Sequence, residues 1–137
     1  MVLNKGTKDK VKIGMAVIDE VYLVGQIIEV NYSNSRALLL SDLNSKIPSV
    51  LEPDDIQAVV SGTGSNFGTI EHTQIDYKDA FKNKEFIVYT SGLGGLFKPG
   101  IPIGKIDNSS EGQINFFSDF NQLDYVKIVS YKFGGGK

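Results

Sequence analysis

The 137-residue sequence contains no cysteine, which removes disulfide frameworks, thiolate metal sites and thiol catalysis in one step. It holds a single histidine, His72, and a single arginine, Arg36. Metal binding is therefore left to carboxylates. Glu52, Asp54 and Asp55 lack the alternating spacing of a calcium loop and read as a solvated turn beside Pro53. Nucleic-acid recognition leans on arginine forks and a basic patch. Here the net charge is −2, and the lysines are scattered apart from a loose group at Lys5, Lys8, Lys10 and Lys12 that reads as a solvated edge. No nucleic-acid partner and no cofactor are expected. No apolar run is long enough to cross a bilayer as a helix and no signal-peptide pattern opens the chain, so the segment by itself is expected to be soluble.

What is present is an all-β pattern. Apolar content is 41%, arranged in short runs broken by Gly, Pro, Asn, Asp and Ser about every eight to twelve residues. β-branched and aromatic residues dominate the runs, which predicts strands over 2–4, 15–19, 22–30, 36–40, 46–51, 57–61, 66–72, 86–90, 101–107, 113–117 and 124–131. No segment keeps a 3.6-residue apolar period over three turns. Little helix is expected, with helical turns plausible only over 75–84 and 118–123.

Alternation is incomplete. In the run from Leu23 to Val30, Val24, Ile28 and Val30 fall on one face, yet Leu23 and Ile27 are apolar on the other. Strands apolar on both faces suit small barrels packed on each other, or a wall that meets a partner. So many short strands in so short a chain predict two small packed β-barrel subdomains. The first is assigned to 1–47 with 105–133, the second to 48–104, and the glycine-rich end at 134–137 reads as a flexible tail.

Chemical motifs are few. His72, Asp79 and Ser91 follow the chain order of a chymotrypsin-type triad, but a triad is defined by converging side chains, and these three lie within one short stretch. The glycine-rich segments Gly62-Thr63-Gly64 and Gly92-Leu93-Gly94-Gly95 do not end in Gly-Lys-Ser/Thr as a phosphate-binding loop must. A ligand-binding barrel would need converging aromatics, for which Tyr22, Tyr32, Phe67 and Phe116 are the candidates. The sharpest feature is a set of large apolar residues, Leu93, Leu96, Phe97 and Ile101, in and just after a loop rich in Gly and Pro. Such side chains either plug the end of a barrel or form a protein-contact patch.

That loop carries a family resemblance. Thr90-Ser91-Gly92-Leu93-Gly94-Gly95-Leu96-Phe97-Lys98-Pro99-Gly100-Ile101-Pro102-Ile103-Gly104 resembles the T-S-G-L-G-G-x-F-P-x-G-x-P-V-G stretch of the MreC family. Leu23-Val24-Gly25-Gln26-Ile27-Ile28-Glu29-Val30, Ser35-Arg36-Ala37-Leu38-Leu39-Leu40-Ser41-Asp42 and Ser45-Lys46-Ile47-Pro48 are similar to further family blocks, in order, from about Val2 to about Val129. Three positions depart from the pattern: Lys84-Glu85 stand where Gly-Asp is usual, Lys98 displaces the proline by one place, and Tyr22 replaces a hairpin glycine. The resemblance implies a non-enzymatic scaffold of the peptidoglycan elongation complex that maintains rod shape. It implies a place on the extracytoplasmic, periplasmic face of a membrane to which the full-length protein is anchored. It implies contacts with MreD, a class B penicillin-binding protein and other elongation-complex proteins, and self-assembly as a homodimer or larger.

Overall fold

A computed structural model describes residues 1–73, 85–92, 98–106, 113–120, 123 and 125–129. It is nearly all strand: β1 (Val2–Leu3), β2 (Ala16–Asp19), β3 (Tyr22–Val30), β4 (Ser35–Leu39), β5 (Lys46–Glu52), β6 (Ile56–Gly62), β7 (Phe67–Thr73), β8 (Phe86–Thr90), β9 (Pro102–Ile106), β10 (Ile114–Phe116) and β11 (Lys127–Val129). The helical element among the described residues is a single 3-10 turn at Thr7–Asp9. Of the helical turns expected from sequence, 75–84 lies outside the described residues, and Ser118 to Phe120 form a bend and a turn instead.

The strands build two antiparallel modules. β10-β7-β6-β5-β8-β9 close into a six-stranded barrel. β1-β4-β3-β2-β11 form a five-stranded half-barrel. Strict alternation fills the closed barrel: Ile47 and Leu51 from β5, Ile56, Ala58 and Val60 from β6, and Phe86 and Val88 from β8 all point inward. The inward Ser49 meets its need locally, donating its hydroxyl to the Ile47 carbonyl at 2.9 Å. The division between modules differs from the sequence expectation. β5 begins at Lys46, and both the end of β9 and all of β10 belong to the closed barrel, so the change of module follows Phe116 and not 104. The cause is ring closure, in which β10 pairs with both β7 and β9.

The two-sided apolarity of β2 and β3 is consumed at the junction. Ala16, Leu23 and Leu40 join the closed barrel's core cluster, whereas Val17, Val24, Ile27 and Ala37 with Val11 make the half-barrel's own core. Two bulges on β3 sort its side chains. Val17 faces Gly25 but Ile18 faces Leu23, which leaves Val24 as an extra residue. Ile27 faces Ala37 but Glu29 faces Arg36, which leaves Ile28 extra. Each extra residue flips the parity of the strand beyond it. Val24, Ile27 and Val30 therefore share one core, and Ile28 stands out toward solvent. The linker from Leu40 to Ser45 is tied to the closed barrel by Gly64 N–H on the Ser41 carbonyl at 2.7 Å and Gly62 N–H on the Ser45 carbonyl at 3.3 Å.

Candidate docking surfaces

The signature loop is anchored at its base by Thr90. This threonine is buried at the end of β8. Its hydroxyl donates to the Lys98 carbonyl at 2.8 Å and accepts from Ile101 N–H at 3.0 Å. Its backbone N–H donates to the Ile101 carbonyl at 2.9 Å, and its own carbonyl accepts from Gly100 N–H at 2.9 Å. Gly92 has φ of 79°, and a Cβ there would press on the Pro99 ring at 3.1–3.2 Å, so this position needs glycine for both reasons. The threonine, glycines and proline of the motif thus pinch the two ends of the loop together. Ile101, one of the four expected contact residues, is half-buried and packs against the barrel core. Leu93, Leu96 and Phe97 lie outside the described residues. Beside the stem is a polar depression of about 590 Å3 bordered by Glu52, Asp55, Gln57, Tyr89 and Ser91. The buried Gln57 Oε1 there has no hydrogen-bond partner.

The described residues do not bring the hydrolase constellation together. β7, which carries His72, and β8, which leads into Ser91, stand three strands apart in either direction round the six-stranded ring. Their backbones lie on opposite walls with the apolar core between them. Asp79 is outside the described residues. A second polar group, in which the Lys46 ammonium sits 3.1 Å from the Ser61 hydroxyl, superficially pairs a serine with a lysine. Glu71 accepts from both, and the lysine side chain is half exposed, so the trio is a surface ion pair with a bridging hydroxyl. Among the described residues no cluster of three or more His, Asp or Glu is placed to hold a metal. The aromatics do not converge either. Tyr22 meets Phe117 at a 42° tilt with centroids 5.1 Å apart, Phe116 meets Phe120 edge-on at 5.5 Å, and Tyr32 stands free in solvent.

Two surfaces were not visible in the sequence. Ile13, Val21 and Leu43 present large apolar side chains at turns, each at least 60% exposed. The other is a groove of about 980 Å3 along the open side of the half-barrel, between β1 and residues 125–129, with the Thr7–Asp9 turn at one end. Val2 and Tyr125 on its lips are 67% and 89% exposed. The advance signal was the shortness of the first strand, expected over 2–4, with lysines close behind it, the usual guard on a strand edge.

A closed barrel fused to a half-barrel, with several large apolar side chains exposed and two strand edges left unpaired among the described residues, defines a structural, surface-presenting β-module. The comparisons agree. The family model of the rod shape-determining protein MreC, barrel core, matches residues 1–130. The cell shape-determining protein MreC of Haemophilus influenzae is 35% identical over 120 residues, which covers 86% of this chain and 33% of that protein. Its counterpart in Listeria monocytogenes is 32% identical over 138 residues, covering 93% and 46%. A solved MreC structure aligns with a TM-score of 0.79 at 27% identity over 94% of this chain and 77% of that one. A further solved structure, of the major periplasmic domain of the cell shape-determining filament MreC, shares the fold with a TM-score of 0.78 at 18% identity, over 96% and 87%. The chain belongs to the MreC family of rod shape-determining proteins. It spans between 29% and 46% of the length of the curated relatives it matches.

Proposed function

We propose that this chain is the periplasmic docking module of a membrane-anchored, non-catalytic scaffold in the peptidoglycan elongation complex. Its partners on this reading are a class B penicillin-binding protein, MreD and other proteins of that complex, together with further copies of itself. The observation that carries the reading is the distribution of apolar surface. Large apolar side chains stand exposed at the turns and along the groove, while the conspicuous polar groups, at Thr90 and at Lys46–Ser61–Glu71, are engaged in holding strands together. The periplasmic filament relative that shares this fold supports the location and the self-assembly.

The test is capture of a class B penicillin-binding protein ectodomain on the immobilised chain, paired with light scattering across concentration. Retention with a Kd of about 1 µM or tighter is expected. A chain that stays monomeric at every concentration and retains no ectodomain would overturn the proposal.

A further inference from the structure

We infer that the groove between β1 and β11 receives one extended, acidic peptide strand from a partner protein, which closes the half-barrel as its sixth strand. The inference rests on the docking role proposed above and names the chemistry of one partner segment. Three features carry it.

The first is strand count. The neighbouring module of the same chain closes with six strands, whereas the half-barrel has five among the described residues. Its two terminal strands, β1 and β11, line the same groove. Both carry an outer edge that no described strand covers. At β1 the outward groups are identifiable. Met1 and Ala37 exchange both backbone hydrogen bonds, at 3.3 and 2.8 Å. Antiparallel alternation then turns the N–H and C=O of Val2 away from β4 and off the sheet. An unpaired edge of this kind is a template for another strand.

The second is the floor. Leu3, Met15, Val126 and Ile128 pack against the half-barrel core and also line the groove, so the core is only partly covered on this side. An incoming strand would lay alternate apolar side chains on it.

The third is charge. Lys5, Lys10 and Lys127 stand on the rim against one carboxylate, Asp9, whose Oδ2 already accepts from Gly6 N–H at 3.1 Å. A second copy of this edge would bring the same lysines against one another, and like charges placed opposite are unfavourable. A strand alternating apolar and acidic residues answers both floor and rim.

The experiment uses a fluorescent seven-residue peptide alternating glutamate and valine, and its counterpart with lysine for glutamate, titrated into the whole chain and followed by anisotropy and amide hydrogen exchange. The acidic peptide is expected to bind at least about tenfold more tightly than the lysine peptide, to weaken with added salt, and to protect the amide of Val2 and those amides of Lys127–Val129 that alternation turns away from β2. Val2→Pro removes an outward donor that the β1–β4 ladder does not use, and should weaken binding about tenfold at unchanged circular dichroism. Lys127→Glu should do the same without any backbone change. Equal binding of the two peptides, protection elsewhere, or no binding up to about 1 mM would overturn the inference. So would full protection of those amides in the free, dilute chain, which would mean the groove is filled from within. Protection that rises with protein concentration alone would mean that a second copy fills it, and would overturn the inference too. If peptide binding fails while the penicillin-binding protein ectodomain is still captured, the groove assignment falls and the scaffold reading stands. Peptide binding with neither capture nor self-association supports the groove and removes the scaffold reading.

Discussion

The two modules are made of the same kind of strand yet differ in one respect, closure. Pairing of β10 with both β7 and β9 leaves the barrel with no edge, and its core from Ile47 to Ile114 is sealed. The half-barrel ends in strands of two and three residues, and its buried core comprises five of the described residues. It leans on the barrel through Ala16, Leu23 and the partly buried Ile18. The barrel is thus the framework and the half-barrel the part that presents unpaired backbone. Free edges and thin local cores are where opening free energies are lowest, and such surface is also what a docking protein has to offer.

Phe86→Ala is the strongest way to break this contrast. Phe86 is fully buried in the closed barrel, and its loss should cost about 3–5 kcal/mol. Ile27→Ala in the half-barrel core should fall toward the low end of about 2–5 kcal/mol, because a site beside an open groove can collapse around the vacancy. Urea midpoints of the two variants measure the difference. An Ile27→Ala loss equal to or above that of Phe86→Ala would show that the half-barrel is no less rigid than the barrel.

A smaller effect is expected at the joint. Gly62 closes β6 against the linker, and a Cβ there would run into the carbonyl oxygens of Leu40 and Asp42. Gly62→Ala should therefore cost about 1–3 kcal/mol by displacing the linker. It should also split a single thermal transition into two, the half-barrel melting first, because the strands of the closed barrel do not depend on where the linker runs. A calorimetric trace that stays single and merely shifts would show that the junction packing at Leu23 and Leu40, and not the linker, couples the modules.

The strands were legible because period-2 runs and turn residues both point to them, and the β5–β6 and β8 alternation carries straight through to burial. β3 shows where that reading fails. Its parity placed Leu23 with Ile27 and Val24 with Ile28, whereas the folded strand places Val24 with Ile27, sends Leu23 to the other core and exposes Ile28. A bulge made of ordinary β-branched residues leaves no mark in the sequence. The module boundary was missed for a related reason. Closure depends on pairing between β5 and β8, and between β7 and β10, strands far apart in the chain whose register no local pattern encodes. At the signature loop, composition was enough to single out Ile101 and to offer a barrel plug or a contact patch, and the fold packs this residue on the barrel core. The groove was illegible because it depends on how strongly the sheet curls, which brings residues near 2 and near 128 to one cleft.

The smallest expected effects concern charge, and they sharpen the same comparison. A cross-strand ion pair stands in each module: Arg36 to Glu29 at 2.9 Å in the half-barrel, directly opposite in register, and Lys46 to Glu71 in the closed barrel. All four side chains are at least one-third exposed, so each pair should contribute only about 0.2–1 kcal/mol and fade as salt is added. Arg36→Ala should sit at the low end, because Glu29 simply returns to water. Lys46→Met should cost more within that range, since Glu71 then loses the ammonium it shares with the Ser61 hydroxyl. Double-mutant cycles at low and high salt measure both coupling energies. A coupling at Arg36 that exceeds the Ile27→Ala loss and survives high salt would mean that the half-barrel is held by its surface and not by its small core. Its openness would then be a matter of charge, and the contrast between the modules would need a different physical basis.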